Sequence, residues 1–259
     1  MSDIASSRDH IEKRAKRFFA PDSVRMRELH EHIFIPLSRS GDVYVIGGAL
    51  RDLAFFGADR RPTSDIDLVI AGPANQVEDI ALSLNAAVNR FGGYGVKTSA
   101  MKVDFWSLEK TWAKTQKHAE ITRAEHLLKS TFFDWDAILY DVMRKKIIAN
   151  PNYLDLMHKR VMDINLLANP SPHGNLVRAL RRLVMYDLRA GRRLRWFIDS
   201  GLRRYDWHSI VSAEREAYHT SFLEQFSGSK DFKHRFFIWR ELSISGVHDR
   251  RQLHLDLSR

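Results

Sequence analysis

Val43-Tyr44-Val45-Ile46-Gly47-Gly48-Ala49-Leu50-Arg51-Asp52, followed after a loop by Asp65-Ile66-Asp67-Leu68-Val69-Ile70, is the stretch that decides the fold. Four strand-forming residues run into a glycine pair, and a short helix through Asp52 to Phe56 is expected next. The loop over 57–64 contains Gly, Pro and Arg, and it leads to a second strand over 66–70 that Gly72-Pro73 closes. On a strand, residues i and i+2 point to one face, so the Asp65 and Asp67 carboxylates converge while Ile66 and Leu68 face the core. Two carboxylates that close repel each other unless a cation sits between them. Hard oxygen donors of this kind suit Mg²⁺, which takes few carboxylates together with water and substrate phosphates.

The glycine pair supplies the complementary half. Without side chains, Gly47 and Gly48 let backbone N–H groups approach a phosphate, and the helix N-terminus adds a favourable dipole. Arg51, one turn further on, is placed to add a charge-assisted bond to a triphosphate, and Asp52 to orient that arginine. A lone Asp-x-Asp is more often a solvated turn, and a lone Gly-Gly is usually just a turn. The ordered combination is the specific signal.

A third carboxylate is expected where two metals align an attacking hydroxyl. In Met101-Lys102-Val103-Asp104-Phe105-Trp106, apolar Met101, Val103 and Phe105 alternate with Lys102, Asp104 and Trp106, so Asp104 points away from the core. The same alternation also fits an ordinary exposed strand aspartate.

Working outward, helices are expected over 8–20 and 23–37, with Asp22 or Ser23 capping the second. Residues 75–91 read as an amphipathic helix with Val77, Ile80, Ala81, Leu84 and Val88 on one face. Further strands are expected over 95–99, 101–108, 137–142 and 146–149. Beyond Asn169-Pro170-Ser171-Pro172 the pattern is helical to the end. This gives an α/β (α+β) protein in three parts: N-terminal helices over 1–40, a catalytic domain over 41–170 with a small mixed sheet flanked by helices, and a helical basic domain over 171–259.

The 259 residues suffice for one large or two small cored domains. No apolar run approaches the roughly 20 residues that span a bilayer, and the first residues lack a secretory layout. Cysteine is absent, which excludes disulfides and thiolate metal ligands. These features fit a cytoplasmic location and no membrane partner, without establishing either. Residues 174–259 hold 17 Lys and Arg against 10 Asp and Glu, +7 of the chain's formal +9. That excess suits a polyanionic partner and equally an arginine-rich solvated surface. The twelve histidines show no HExxH or paired spacing. Trp196, Phe197, Tyr205, Trp207, Phe236, Phe237 and Trp239 lie among arginines, where core packing competes with base stacking.

With these residues in view, Gly47 to Ile70 resembles the signature of the DNA polymerase β-type nucleotidyltransferases. It is most similar to the tRNA CCA-adding enzyme and bacterial poly(A) polymerase family. Phe133-Asp134-Trp135-Asp136-Ala137, Ile147-Ile148-Ala149-Asn150-Pro151 and Asn175-Leu176-Val177-Arg178-Ala179-Leu180-Arg181-Arg182 resemble later family segments in the right order. The last of these resembles the neck helix. The resemblance covers roughly residues 42–190.

It implies that Asp65 and Asp67 bind the catalytic metals and that Gly47, Gly48 and Arg51 hold the triphosphate of ATP or CTP. It also implies that Arg178 and Arg181 reach the nucleotide from the neck, where an apolar stripe of Leu176, Leu180, Leu183, Val184 and Leu188 leaves the arginines off the core side. Arginines laid along a helix surface fit that stripe as well.

The departures are specific. Ser130-Thr131-Phe132 stands where the family has Arg-Arg-Asp, Asn150 and Asn175 replace family aspartates, and no base-selecting Glu/Asp-x-x-Arg template is found. The chain is also expected to leave little room after the neck for the parts that grip tRNA. The implied activity is transfer of a nucleotide to an RNA 3′ end. Transfer to a protein or small-molecule acceptor, as in toxin–antitoxin or resistance enzymes, or a non-catalytic nucleotide- or RNA-binding role, are the alternatives.

Overall fold

The computed structural model describes residues 3–57, 65–99 and 101–238. The expected loop over 57–64 is described only at Gly57, and Trp239 also lies outside the described residues. The chain divides into two compact units, 1–158 with 165–168 and 159–164 with 169–259.

The first unit is built on a seven-stranded mixed sheet. Its strands are β1 (Asp42–Ile46), β2 (Ile66–Ala71), β3 (Ala87–Val88), β4 (Tyr94–Lys97), β5 (Lys102–Ser107), β6 (Ile138–Asp141) and β7 (Lys146–Ala149). Their order is β3-β4-β5-β2-β1-β6-β7. The β2–β5 pair is parallel, and the other neighbours are antiparallel.

Strand alternation divides the side chains between two faces. Val43, Val45, Ile66, Leu68, Ile70, Val103 and Phe105 share one face and are essentially fully buried. Helices α1 (Arg8–Phe18), α4 (Gly48–Phe56) and α5 (Ala74–Ser83) pack around this core. On the other face, Tyr44, Val69 and Leu139 pack with Leu108, Ile121, Leu127 and Leu128, from a segment containing α6 (Trp112–Thr115) and 3₁₀ turns.

The second expected helix forms as α2 (Val24–Leu29) and α3 (Ile35–Ser38), joined through a π-helical turn, His30–Phe34. Ser23 caps it by accepting from Met26 N–H at 3.2 Å. The Ile35 N–H reaches back to the His30 carbonyl, and Pro36 follows without an N–H to give, so the helix widens here.

The helix expected over 75–91 is shorter than its apolar spacing suggests. α5 ends at Ser83, Asn85 takes a left-handed φ of 50°, and the Ala86 N–H closes onto the Ala81 carbonyl at 2.9 Å. That left-handed closure is a helix terminus. Val77 and Ala81 are buried as expected, whereas Val88 lies in the edge strand β3 and is exposed. Helix α7 (Tyr153–His158) completes the first unit.

The second unit contains α8 (Pro172–Met185), α9 (Arg192–Arg204), α10 (Trp207–Tyr218) and α11 (Ser229–Lys233). The helical reading beyond residue 170 has one exception: β9 (Arg189–Ala190) pairs in parallel with β8 (Val161–Met162). Trp207, Phe226, Phe232 and Phe236 form an aromatic cluster with ring centroids 4.7–6.3 Å apart. Core packing therefore accounts for Trp207, Phe236 and the buried Phe237 among the aromatics lying among arginines, whereas Trp196 is exposed. Among the described residues no helix is long and apolar enough to cross a membrane.

Candidate active site

The site begins where β1 ends. Ile46 is opposite Asp67 on β2, so the glycine turn leaves the sheet beside the first strand aspartate. Gly47 has φ +80° and ψ −126°, a conformation that penalises any side chain. A Cβ at Gly47 would find its nearest neighbours at 3.9 Å, so the backbone angle and not crowding demands glycine. The Gly47 N–H donates to the Ile138 carbonyl at 3.1 Å, and its carbonyl accepts from Arg51 N–H at 3.0 Å to open α4. Gly48 is the first residue of that helix and is buried.

Asp67 is also opposite Asp104, its parallel neighbour on β5. Directly paired residues on adjacent strands share a face, so these two carboxylates lie side by side. Asp65 immediately precedes β2, with its side chain about half exposed. A single ammonium joins the group: Lys102 Nζ lies 2.5 Å from Asp104 Oδ2 and 3.7 Å from Asp65 Oδ2. Its hydrogen bond to Asp104 raises the Lys102 pKa. Burial opposes that rise, and the charges of Asp104, Asp65 and Asp67 reinforce it.

Asp104 is on the face opposite Val103 and Phe105, as its alternation indicates, yet it is only 9% exposed. The neighbouring strand β4 lies close on one side. Gly95 faces Asp104 across the β4–β5 ladder, and a Cβ at Gly95 would come within 2.8 Å of Asp104 Oδ1. That oxygen is buried and has no hydrogen-bond partner.

Arg51 and Asp52 are both 2% exposed. Arg51 Nε and Nη2 donate to Asp52 Oδ1 at 3.0 and 2.8 Å, and Nη1 donates to Asp136 Oδ1 at 2.6 Å. Asp52 thus orients the arginine, while the guanidinium is drawn inward to Asp136 rather than held out toward solvent. Tyr153 donates to the Trp135 carbonyl at 2.9 Å, and burial pushes its phenol well above the usual range. The buried cluster ties α4 to the segment before β6, and the first residue of β6, Ile138, accepts the Gly47 N–H.

Among the described residues no group of three His, Cys, Asp or Glu side chains is already arranged as a metal cluster. The chemistry of the donors nevertheless fits a divalent cation. Asp104 and Asp65 both lie within 4 Å of one positive charge, Asp67 adds its field to it, and a buried carboxylate oxygen of Asp104 remains unpaired. Lys102 and Asp136 are the functional candidates that sequence reasoning passed over. Lys102 stands two residues from Asp104, the same-face spacing already used for Asp65 and Asp67. Asp136 sits inside the quoted Phe133–Ala137 segment, but nothing local signals its reach to Arg51.

Arg178 and Arg181 lie on α8 in the second unit. Leu176, Leu180, Leu183 and Leu188 are fully buried as the stripe requires. Arg178 Nε donates to the Tyr218 hydroxyl at 3.4 Å. Arg181 is 9% exposed, donates to Thr220 Oγ1 at 3.1 Å, lies 3.8 Å from the fully buried Glu214, and covers the Tyr218 ring at 4.6 Å. Its guanidinium is therefore part of the joint between α8 and α10.

Solved structures of CCA-adding enzymes share this fold. A Thermotoga maritima CCA-adding enzyme complexed with tRNA matches with a TM-score of 0.53 at 15% identity, over 90% of this chain and 54% of that one. A CCA-adding enzyme with CTP matches with a TM-score of 0.53 at 17% identity, over 88% and 54%. A tRNA-processing enzyme with CTP matches with a TM-score of 0.50 at 15% identity, over 77% and 54%. The chain has the fold of these enzymes and spans about half their length. No family model and no curated protein matches it in sequence.

Proposed function

We propose that the chain is a metal-dependent nucleotidyltransferase that moves a nucleoside monophosphate from an NTP, ATP or CTP, to an RNA 3′ end, with release of pyrophosphate. The acceptor in this reading is tRNA or a small RNA, and the setting is the cytoplasm. The observation that carries it is the Asp67–Asp104 pair beside the Gly47 turn. Asp65, Asp67 and Asp104 would hold Mg²⁺, which when bound neutralises the triphosphate and stabilises the departing pyrophosphate.

The chain's own groups do the rest. Gly47 and Gly48 present backbone N–H groups and the α4 N-terminus to the phosphates. Arg51, clamped by Asp52 and Asp136, keeps that turn in shape and adds its positive charge from behind. Asp104 orients the attacking hydroxyl and accepts its proton.

Incubation with each α-labelled NTP and either total RNA or cell protein tests the reading. Label on RNA 3′ ends supports it. Label only on protein redirects the same chemistry to another acceptor, and label on neither, with Mg²⁺ and every NTP supplied, contradicts it.

Helix α9 supports RNA as the acceptor. Trp196 is 60% exposed, with exposed Arg192 and Arg193 one turn before it and exposed Arg203 two turns after it. Residues at those spacings share a helix face. Arginines that meet phosphates beside a ring that meets bases suit a single strand. Trp196→Ala is expected to weaken single-stranded RNA binding by about tenfold, and binding should fall steeply with salt. Fluorescence anisotropy checks both, and an unchanged affinity in the variant counts against this face.

A further inference from the structure

Three acids gathered at the ends of two strands repel each other, so something must hold them together before a nucleotide brings its cation. In this structure that group is the Lys102 ammonium, in contact with Asp104, within 4 Å of Asp65 and in the field of Asp67. Its side chain is 53% exposed, and a lysine stem is long and flexible, so the ammonium can swing out into solvent. Its backbone, two residues from Asp104 on the same strand, keeps it within reach at all times. Asp104 Oδ1 has no hydrogen-bond partner even with Lys102 in place, so the site has oxygen lone pairs that the lysine does not fill.

Resting on the nucleotidyltransferase reading above, we propose that Lys102 is a tethered counter-ion of the carboxylate site. It holds the acids assembled in the empty enzyme and yields them to the incoming divalent cation, and so sets how tightly that cation binds. Like charges compete for one cluster of acids, so the lysine keeps metal affinity low until a triphosphate adds its own oxygens. Once displaced, the ammonium is beside the triphosphate and can pair with it. Lys102 is on this account a positioning residue.

Mn²⁺ binding to wild type, Lys102→Met, Lys102→Arg and Asp67→Asn, followed by the electron paramagnetic resonance signal of free Mn²⁺ without nucleotide, tests this. Lys102→Met is expected to bind Mn²⁺ on the order of tenfold more tightly than wild type. Its melting temperature without metal should fall, and Mn²⁺ should raise it by more than in wild type. Lys102→Arg, which keeps the charge, should stay near wild type. If Lys102→Met binds no more tightly while Asp67→Asn loses binding, the counter-ion role fails and the nucleotidyltransferase reading stands. If Lys102→Arg behaves like Lys102→Met, shape and not charge is responsible, and the role fails equally. If neither wild type nor Lys102→Met binds Mn²⁺ without nucleotide, the counter-ion role fails, and label transfer from an NTP decides the nucleotidyltransferase reading separately.

Discussion

Asp67→Asn is expected to lower nucleotide transfer on the order of a thousandfold while leaving the fold intact. Asp67 is the acid at the centre of the site, opposite Ile46 on one side and Asp104 on the other. An amide of the same shape keeps the strand and its packing but removes the charge that a divalent cation requires. Asp104→Asn should act similarly, and the double variant should be little worse than either single one, because the two acids serve one cation. Stability should move the other way. Removing one of several neighbouring negative charges relieves repulsion, so the melting temperature should hold or rise slightly. Single-turnover transfer rates and thermal unfolding on the same samples check the pair of expectations. Lost activity together with a lost fold would mean that Asp67 is structural.

Arg51→Met is expected to cost about 3–5 kcal/mol of stability, a large share of the roughly 5–15 kcal/mol that holds a domain together. Arg51 is 2% exposed and lies between Asp52 and Asp136, so its removal leaves buried carboxylates facing one another. Asp136→Asn keeps an oxygen for Arg51 Nη1 and removes one of two negative charges against a single positive one. It should therefore cost about 1 kcal/mol. The ordering of these two variants in urea denaturation is the discriminating result. If Arg51→Met is as stable as wild type and only the Michaelis constant for NTP rises, the arginine faces substrate, and the clamp is not what holds the turn.

The strand, glycine turn, helix and second strand were legible because each announces itself within a few residues. Apolar alternation sets the strands, and Gly47 needs a backbone angle that other residues avoid. The placement of Asp104 beside Asp67 was half legible. Alternation gives its face, but the parallel pairing that sets Asp67 opposite Asp104 joins strands some 37 positions apart in sequence, and no local pattern encodes it. The same limit hid Asp136, which meets Arg51 across 85 positions. Spacing misjudged α5, because apolar residues continue at helical intervals to Val88 while Asn85 closes the helix in a left-handed turn. Arg181 looked like a surface arginine off the apolar stripe. Its buried partner Glu214 lies on another helix, and helical periodicity says nothing about what a second helix brings to the contact.

The central claim is that acids on β2 and β5, beside the Gly47 turn, form a divalent-cation site for a triphosphate. Anomalous diffraction from crystals soaked with Mn²⁺ and a non-hydrolysable NTP tests it most directly. The account predicts a peak bonded to carboxylate oxygens of Asp67 and Asp104, with the triphosphate against the Gly47–Gly48 backbone. A nucleotide bound elsewhere, or a metal peak away from both aspartates, would contradict it.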